Sequence, residues 1–308
     1  MMKKLTAAFC VLCFLSVSGS LASEEVKGMK TATDLNFVLA TTMETKVKII
    51  ETISIPVMAG MGPLTAGNQI QFKLGGEFSP VSLNGTFETV LTPIAFLQFN
   101  AGASFGSGWN IPIANGLRMN EWADAHDSVL TGGAFSGLVW SVKGGSAFQF
   151  DYAALKPGDW NHIVIRTYHA FQYRALSSSS ASDSWLYESD SGENRNGWNY
   201  YGNYFLGYKM PLVLDTVGLL FEEDLYLYDT ADRKLWGDDI PRWTFGFLGN
   251  FAINKKTSIA LLVQGRTMRN FTKETEDYGF YQDRRMASGE KTHIKFYRAA
   301  LNATIKLK

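Results

Sequence analysis

The chain has 308 residues, of which 46% are hydrophobic and 14% aromatic, and its 29 basic residues balance 29 acidic ones. A chain without net positive charge or a basic stripe is not expected to bind nucleic acid. Beyond the N-terminal segment, no run reaches the roughly 18 consecutive apolar residues of a transmembrane helix, so a helical membrane protein is excluded.

Residues 1–22 predict a cleaved secretory signal peptide. Two lysines form a positive n-region, an apolar run covers residues 5–17, and small residues follow up to the expected cleavage between Ala22 and Ser23. The mature chain, 23–308, is then a single domain. An uncleaved membrane helix is the alternative, but the apolar run is shorter than the ~20 residues that span a bilayer.

Both cysteines, Cys10 and Cys13, lie within this leader, too early in it for a lipid-anchored cysteine. The mature chain therefore contains no cysteine. An exported protein without disulfides must close its fold by other means.

The rest of the chain consists largely of segments in which apolar and polar residues alternate, the period of a β-strand with two different faces. Counting 81–106 as one bent strand gives 12 strands, and splitting it gives 13. The predicted strands are 35–43, 47–58, 69–78, 81–106, 134–142, 146–154, 161–174, 200–212, 217–228, 243–253, 258–266 and 293–308.

The clearest pair runs from Trp198 to Tyr228, with a turn predicted near 214–216. Each run is longer than the ~5–6 residues of an ordinary strand and closer to the ~9–11 residues of a tilted strand that spans a bilayer. Glu223 interrupts the apolar face of the second run. A bulge near Glu222–Glu223, a partner subunit or a position closer to the outer rim could each explain it.

Only helices and closed barrels satisfy every backbone group in lipid. We therefore predict an all-β fold, a closed antiparallel transmembrane β-barrel of about 12 strands, with 14 as the alternative count. A soluble exported β-sandwich remains the other architecture.

Residues 106–132 break the alternation, and apolar residues at helical spacing predict a short helix in the 117–130 region. The segment is expected to form a plug or an interfacial cap. His126 would lie on its apolar face, where a packed histidine is favoured over a functional one. Later in the chain, Lys143-Gly144-Gly145 predicts a tight hairpin turn.

Long polar loops at 177–197, 229–241 and 269–292 alternate with short turns at 213–216 and 254–257. This asymmetry is typical of outer-membrane barrels, whose long loops are external and whose short turns are periplasmic. The 12-strand count would place the 106–132 insert on the periplasmic side.

These features resemble those of a bacterial outer-membrane β-barrel protein. The segments PIAFLQFNAGASFGSGWN (93–110), LKPGDWNH (155–162) and YKMPLVLDTVGLLFE (208–222) resemble spirochaete outer-membrane proteins. The resemblance implies a location in the outer membrane, in contact with its lipid. The chain departs from such barrels by ending in Leu307-Lys308 instead of an aromatic residue.

In a barrel, the polar faces of the strands line the lumen. The predicted lumen-lining residues are Asp151, Arg166, Arg174, Lys209, Glu222, Asp224, Arg266 and Arg298. They predict a passive, porin-like channel for small hydrophilic solutes, and their mixed signs argue against strong ion selectivity. Salt bridges that merely close a rigid barrel are the alternative. A structural or adhesin-like barrel that acts through its external loops is the other function left open.

No cofactor, metal site or catalytic group is predicted. Gly106-Ser107-Gly108 lacks the strand-to-helix context of a nucleophile elbow, and His162 and His169 fall on opposite faces of one strand. A hydrolase with a serine and a histidine at the rim is a minor alternative. Three loop acids could hold calcium but are better explained as solvated side chains: Asp183, Asp190 and Glu193.

Overall fold

A computed structural model describes residues 28–122, 128–131, 134–181, 183–188, 193–231, 233–272 and 285–308. The expected cleavage site at Ala22 and Ser23, both cysteines, His126 and Asp190 lie outside these residues. Within the described part of the chain, no helix has the length and apolar character needed to cross a membrane.

Fifteen strands dominate the described residues, which also include a short 3-10 helix at Tyr152–Ala154 and a four-residue helix, α1, at Arg233–Trp236. In chain order the strands are β1 (Lys30–Ala40), β2 (Thr45–Pro56), β3 (Gln69–Ser79), β4 (Ser82–Ile94), β5 (Leu97–Gly108), β6 (Leu117–Trp122), β7 (Ser128–Thr131), β8 (Val139–Asp151), β9 (His162–Leu176), β10 (Trp185–Tyr187), β11 (Gly197–Lys209), β12 (Leu214–Tyr226), β13 (Arg242–Ala252), β14 (Thr257–Arg269) and β15 (Thr292–Lys306).

Twelve of these strands form one closed antiparallel barrel, in the order β1-β2-β3-β4-β5-β8-β9-β11-β12-β13-β14-β15. The first strand closes the ring against the last, with Leu35 opposite Ile305 and Leu39 opposite Leu301. Closure leaves no edge strand, so the backbone groups of every strand find partners on both sides. The predicted barrel is confirmed, and neither a 14-strand barrel nor a β-sandwich forms.

The predicted count of 12 was reached through two errors that cancel. Residues 81–106, counted as one strand, are the two strands β4 and β5, joined by a turn at residues 95–96. Conversely, the hairpin predicted around Lys143-Gly144-Gly145 does not exist, because these residues lie within the continuous strand β8.

Gly145 of β8 serves close packing, and neither Gly144 nor Gly145 forms a turn. A Cβ atom at Gly145 would lie 2.7 Å from the carbonyl oxygen of His169 and 2.8 Å from Oδ1 of Asn100. Only glycine leaves room for these neighbours. A Lys-Gly-Gly run is therefore ambiguous in sequence between a turn and a crowded strand.

The connections at the two ends of the barrel differ in length. One end carries both termini of the barrel and turns such as 95–96, 210–213 and 253–256. The other end, here called the mouth, carries the long connections 109–138, 177–196, 227–241 and 270–291. The insert predicted on the side of the short turns is therefore at the mouth, because the extra crossing made by β5 reverses the end at which it leaves the wall.

The described residues of the 117–130 region form strands, so the prediction of a helix there is wrong. β6 and β7 pair as an antiparallel hairpin, and β10 adds to β6 with Tyr187 opposite Leu117. We call these three strands the lid sheet. Leu117 and Trp185 are fully buried in a cluster with Val139, Leu176 and Tyr187, so tertiary burial overrides the helical spacing.

The barrel wall has two faces. Large exposed side chains such as Leu74, Phe87 and Phe99 alternate with polar ones along each strand and define the apolar face. We call the opposite one the polar face. On β15 a register shift opposite Gln264–Gly265 breaks the alternation. The ring of Tyr297, which regular alternation with Leu301 would place on the apolar face, contacts Arg266 of the polar face instead.

The hairpin predicted at Trp198–Tyr228 forms from β11 and β12, with its turn at 210–213 instead of 214–216. Its register is continuous, and Glu223 lies opposite Gly202. The proposed bulge near Glu222–Glu223 is therefore wrong, and Glu223 shares the apolar face with Leu219 and Phe221, three residues before β12 ends.

Candidate functional site

A chain of hydrogen bonds runs along the polar face through five side chains. Glu222 accepts hydrogen bonds from the Tyr201 hydroxyl and from Nε2 of Gln264, both at 2.7 Å. Arg298 donates from Nε to Oε1 of Gln264 and from Nη1 to Oε2 of Glu44, both at 2.8 Å. The chain thus links β11, β12, β14, β15 and the β1–β2 turn, and brings two predicted residues, Glu222 and Arg298, into one network.

Lys46 of β2 continues the network as a hub for three carboxylates. Its Nζ lies 2.5 Å from Oε2 of Glu188 and 3.4 Å from an oxygen of both Glu44 and Glu77. All four side chains are largely buried. One ammonium group therefore neutralises a cluster that would otherwise be strongly repulsive.

Glu188 reaches this hub from a loop on the far side of the barrel. The 177–196 loop joins β9 and β11, yet Glu188 accepts hydrogen bonds from Ser82 (2.6 Å) and Asn84 (2.8 Å) on β4. Burial alone would raise the pKa of Glu188, but the charge of Lys46 and these hydrogen bonds outweigh it and lower that pKa. The carboxylate is therefore held in its charged form across the mouth.

The neighbouring residues fix the lid sheet to both walls. The Arg174 guanidinium of β9 lies over the rings of Trp185 and Tyr187, 5.0 and 5.8 Å from their centroids. The Tyr187 hydroxyl donates to Oδ1 of Asn84 on β4. Burial, together with the charge of Glu188, raises the pKa of Tyr187 and keeps that phenol protonated.

A second ionic cluster ties the 177–196 loop to the 227–241 loop and to the end of β14. Nη1 of Arg195 lies 2.7 Å from Asp238, and Nη1 of Arg269 lies 2.5 Å from Glu193 and 3.6 Å from Asp238. The Arg195 guanidinium stacks on Trp236 of α1. Burial raises the pKa of Asp238 to about 6 in spite of the two arginines.

The other predicted lumen residues lie in smaller groups. Asp151 and Lys209 are at the end with the short turns, where Asp151 lies 2.7 Å from Nδ1 of His162. The remaining contacts are Asp224 with Arg242 at 3.7 Å, Arg266 Nε with Thr244 Oγ1 at 3.0 Å, and Arg166 over the ring of Tyr168 at 5.5 Å.

Between the two ends of the barrel, the polar face carries a row of three charged side chains, here called the charged ladder: Lys73 of β3, Glu88 of β4 and Lys143 of β8. Nζ of Lys143 lies 2.9 Å from Oε1 of Glu88, which also accepts a hydrogen bond from Asn100 at 2.8 Å. Lys73 lies opposite Glu88 in the strand register. Lys73 makes no ion pair within 4 Å among the described residues.

Sequence reasoning missed these residues for different reasons. Glu88 lies in the segment that was counted as one bent strand, and Lys143 was assigned to a turn; correct strand boundaries would have placed both on the polar face. Lys46 lies one residue before the predicted strand 47–58, and Glu77 alternates with apolar residues in the predicted strand 69–78 but was not included among the lumen-lining residues. Glu188 carried no signal, because it lies in a polar loop and its contacts are more than 100 residues away in sequence.

His162 and His169 lie on opposite faces of β9, as the alternation predicts. Nδ1 of His169 lies 2.7 Å from the hydroxyl of Tyr200 on the apolar face. Across the described part of the chain, no group of three or more His, Cys, Asp or Glu residues is arranged to hold a metal ion.

Comparison with known proteins gives structural similarity only. No family model matches the chain, and no curated protein matches it. Solved structures similar to it include the KdgM porin in complex with disordered oligogalacturonate, with 10% identity, a TM-score of 0.38, and coverage of 90% of this chain and 99% of that one.

Two further structures cover 90% of this chain. The NanC porin is 5% identical, with a TM-score of 0.40 and its whole chain covered. The outer-membrane protein Omp33 of Acinetobacter baumannii is 9% identical, with a TM-score of 0.39 and 98% of its chain covered. The resemblance to spirochaete proteins stays a prediction.

Proposed function

We propose that the protein is an outer-membrane β-barrel that acts as a passive, porin-like channel for small hydrophilic solutes. The observation that carries this proposal is the closed barrel of 12 strands with an apolar face and a charged face. An apolar outer wall suits lipid, and a polar interior suits water and solutes. A ring of about 12 strands is intermediate between side-chain-filled barrels and wide porins.

The eight predicted residues are proposed to line this lumen: Asp151, Arg166, Arg174, Lys209, Glu222, Asp224, Arg266 and Arg298. Their positions opposite the exposed apolar side chains support this assignment. So does the path of the 177–196 loop, since a segment that leaves β9 and contacts the polar face of β2 and β4 must cross the mouth of the ring. The lid sheet would then narrow the mouth without changing the wall.

The test is conductance in a planar lipid bilayer. The purified mature protein should give discrete current steps after reconstitution, and the steps should scale with KCl concentration. Folding is checked separately by resistance to SDS at room temperature and its loss on boiling. A barrel that is folded by this criterion and electrically silent contradicts the proposal.

A second candidate is a structural or surface-interaction role through the loops of the mouth. The observation that favours it is the buried ionic cluster of Arg195, Asp238 and Arg269, which holds separate loops in one arrangement. Deletion of residues 177–197 tests it, because loss of partner or host-surface binding with an intact barrel is the expected result. Unchanged binding contradicts this role.

A further inference from the structure

The polar face is not polar throughout. Five strands in succession, β11 to β15, present an apolar side chain to it near their middles. These side chains, which we call the apolar band, are Phe205, Leu220, Leu248, Leu262 and Ala300. Register pairs connect them in two groups, since Phe205 lies opposite Leu220, and Leu262 lies opposite both Leu248 and Ala300. Leu220 itself lies opposite Gly246, two residues before Leu248.

Packing keeps this band flat. The ring of Phe205 lies over Gly207 and Gly218, where an added Cβ atom would come within 2.4 Å of the ring. Glycine at both positions lets the aromatic side chain lie along the wall. The band is thus an apolar strip, with a step of two residues between Leu220 and Leu248, that occupies little of the space in front of it.

The charged ladder lies on the opposite wall. In the ring of 12 strands, β3 is six strands from β12, β4 six from β13, and β8 six from β15. The strands that carry Lys73, Glu88 and Lys143 therefore lie across the barrel from those that carry Leu220, Leu248 and Ala300. Two lysines share the one carboxylate of Glu88, because Lys143 pairs with it at 2.9 Å and Lys73 lies opposite it in the register, so the ladder carries one net positive charge.

We propose that the lumen selects small amphipathic anions, carboxylates with an apolar tail, whose head lies near Lys73 and whose tail packs on the apolar band. This inference rests on the channel proposed above and names its solute class. A purely hydrophilic solute gains nothing from an apolar strip, and an apolar cation is repelled by the ladder. An amphipathic anion can bind to both walls at once, because its tail is buried against the apolar band while its carboxylate head pairs with positive charge on the ladder.

Three six-carbon probes separate these contributions: hexanoate, gluconate and hexylammonium. Added to a KCl-conducting channel in a planar bilayer, hexanoate should reduce the current at a concentration at least about tenfold lower than gluconate, as expected for the burial of several methylenes. Hexylammonium should block more weakly than hexanoate. Equal block by hexanoate and gluconate, or stronger block by hexylammonium, overturns the inference while the channel itself stands.

Substitutions on each wall test how much that wall contributes to block by hexanoate. Leu248→Asn with Leu262→Asn should remove the advantage of hexanoate over gluconate, and Lys73→Gln should weaken hexanoate block several-fold. Ser258→Asn, a change on the polar face of β14 at the end with the short turns, is the matched control and should leave the hexanoate advantage and the hexanoate block unchanged. An advantage that survives the double substitution contradicts the role of the band.

Calorimetric titration of hexanoate into vesicles that carry the protein gives a second readout without current. Binding of hexanoate but not gluconate by a silent barrel would support the inference and contradict the channel. Equally weak binding of both probes would overturn the inference.

Discussion

The carboxylate of Glu188 lies 2.5 Å from the ammonium group of Lys46, although the two residues belong to opposite sides of the barrel. Glu188 comes from the loop between β9 and β11, and Lys46 from β2. This ion pair, together with hydrogen bonds from Ser82 and Asn84, fastens the loop across the mouth. A contact that closes so large a loop gives the mouth a defined shape at a cost in chain entropy.

Glu188→Gln should loosen the mouth and leave the wall intact. The variant keeps the shape of the side chain but loses the ion pair, so we expect a larger mean conductance and more current fluctuation in single-channel records. Loss of the charged hydrogen bonds should lower the free energy of unfolding by about 1–2 kcal/mol. Glu290→Gln, an exposed loop glutamate, is the control. Identical records for wild type and Glu188→Gln would show that this loop does not narrow the path.

Lys46→Met should destabilise the protein more than Glu188→Gln. Without the ammonium group, Glu44, Glu77 and Glu188 remain clustered and largely buried. We expect a loss of about 3 kcal/mol in urea unfolding followed by tryptophan fluorescence, as for other ion pairs broken on one side. Lys48→Met on the same strand and face is the matched control, because Lys48 makes no ion pair within 4 Å in the described residues. A smaller effect for Lys46→Met than for Glu188→Gln would argue against the hub.

The stability of the mouth should depend on pH through Asp238. Burial raises its pKa from the ordinary 3.8 to about 6, so the folded protein binds the proton more tightly than the unfolded chain. This stabilisation is complete below about pH 4 and is lost as the pH rises through 6. The slope is at most about 1.4 kcal/mol per pH unit.

The measurement is urea unfolding between pH 4 and 7, compared with Asp238→Asn, which should lack this slope. Asp229→Asn, at an exposed position in the same loop, should keep it. Glu188 has its pKa lowered, so its contribution is lost only as the pH falls below the ordinary 4.5 and lies outside most of this window. An unchanged slope in Asp238→Asn would contradict the assignment.

Glu223→Leu should stabilise an isolated barrel in lipid. Glu223 shares the apolar face with Leu219 and Phe221, and an acid facing lipid is unfavourable, so its removal should add about 1 kcal/mol. Urea unfolding in lipid vesicles measures this, and Leu219→Glu should have the opposite effect. If a partner subunit covers Glu223, the substitution should instead reduce the oligomer in native gels, which decides between the remaining explanations.

Part of the fold could be predicted from sequence because the signal is local. Alternation with period two is a property of each strand, so the two-faced strands, the long connections and the polar positions of Glu222 and Arg298 could be found without a structure. The ends of the strands were predicted less accurately than the alternation within them. Gly144 and Gly145 have the same local pattern as a turn, and only the approach of Asn100 and His169 shows that they lie in a continuous strand.

The sequence by itself determined the two-faced strands and, beyond residue 22, the lack of an apolar run long enough for a spanning helix, since these follow from residue order alone. Tertiary structure decided the closure of β1 on β15, the conversion of the 117–130 region into a lid sheet, and the crossing of Glu188 to Lys46. It also placed the apolar band opposite the charged ladder. The physical reason is that these features depend on contacts between residues distant in the chain, whose energies appear only once the ring has closed.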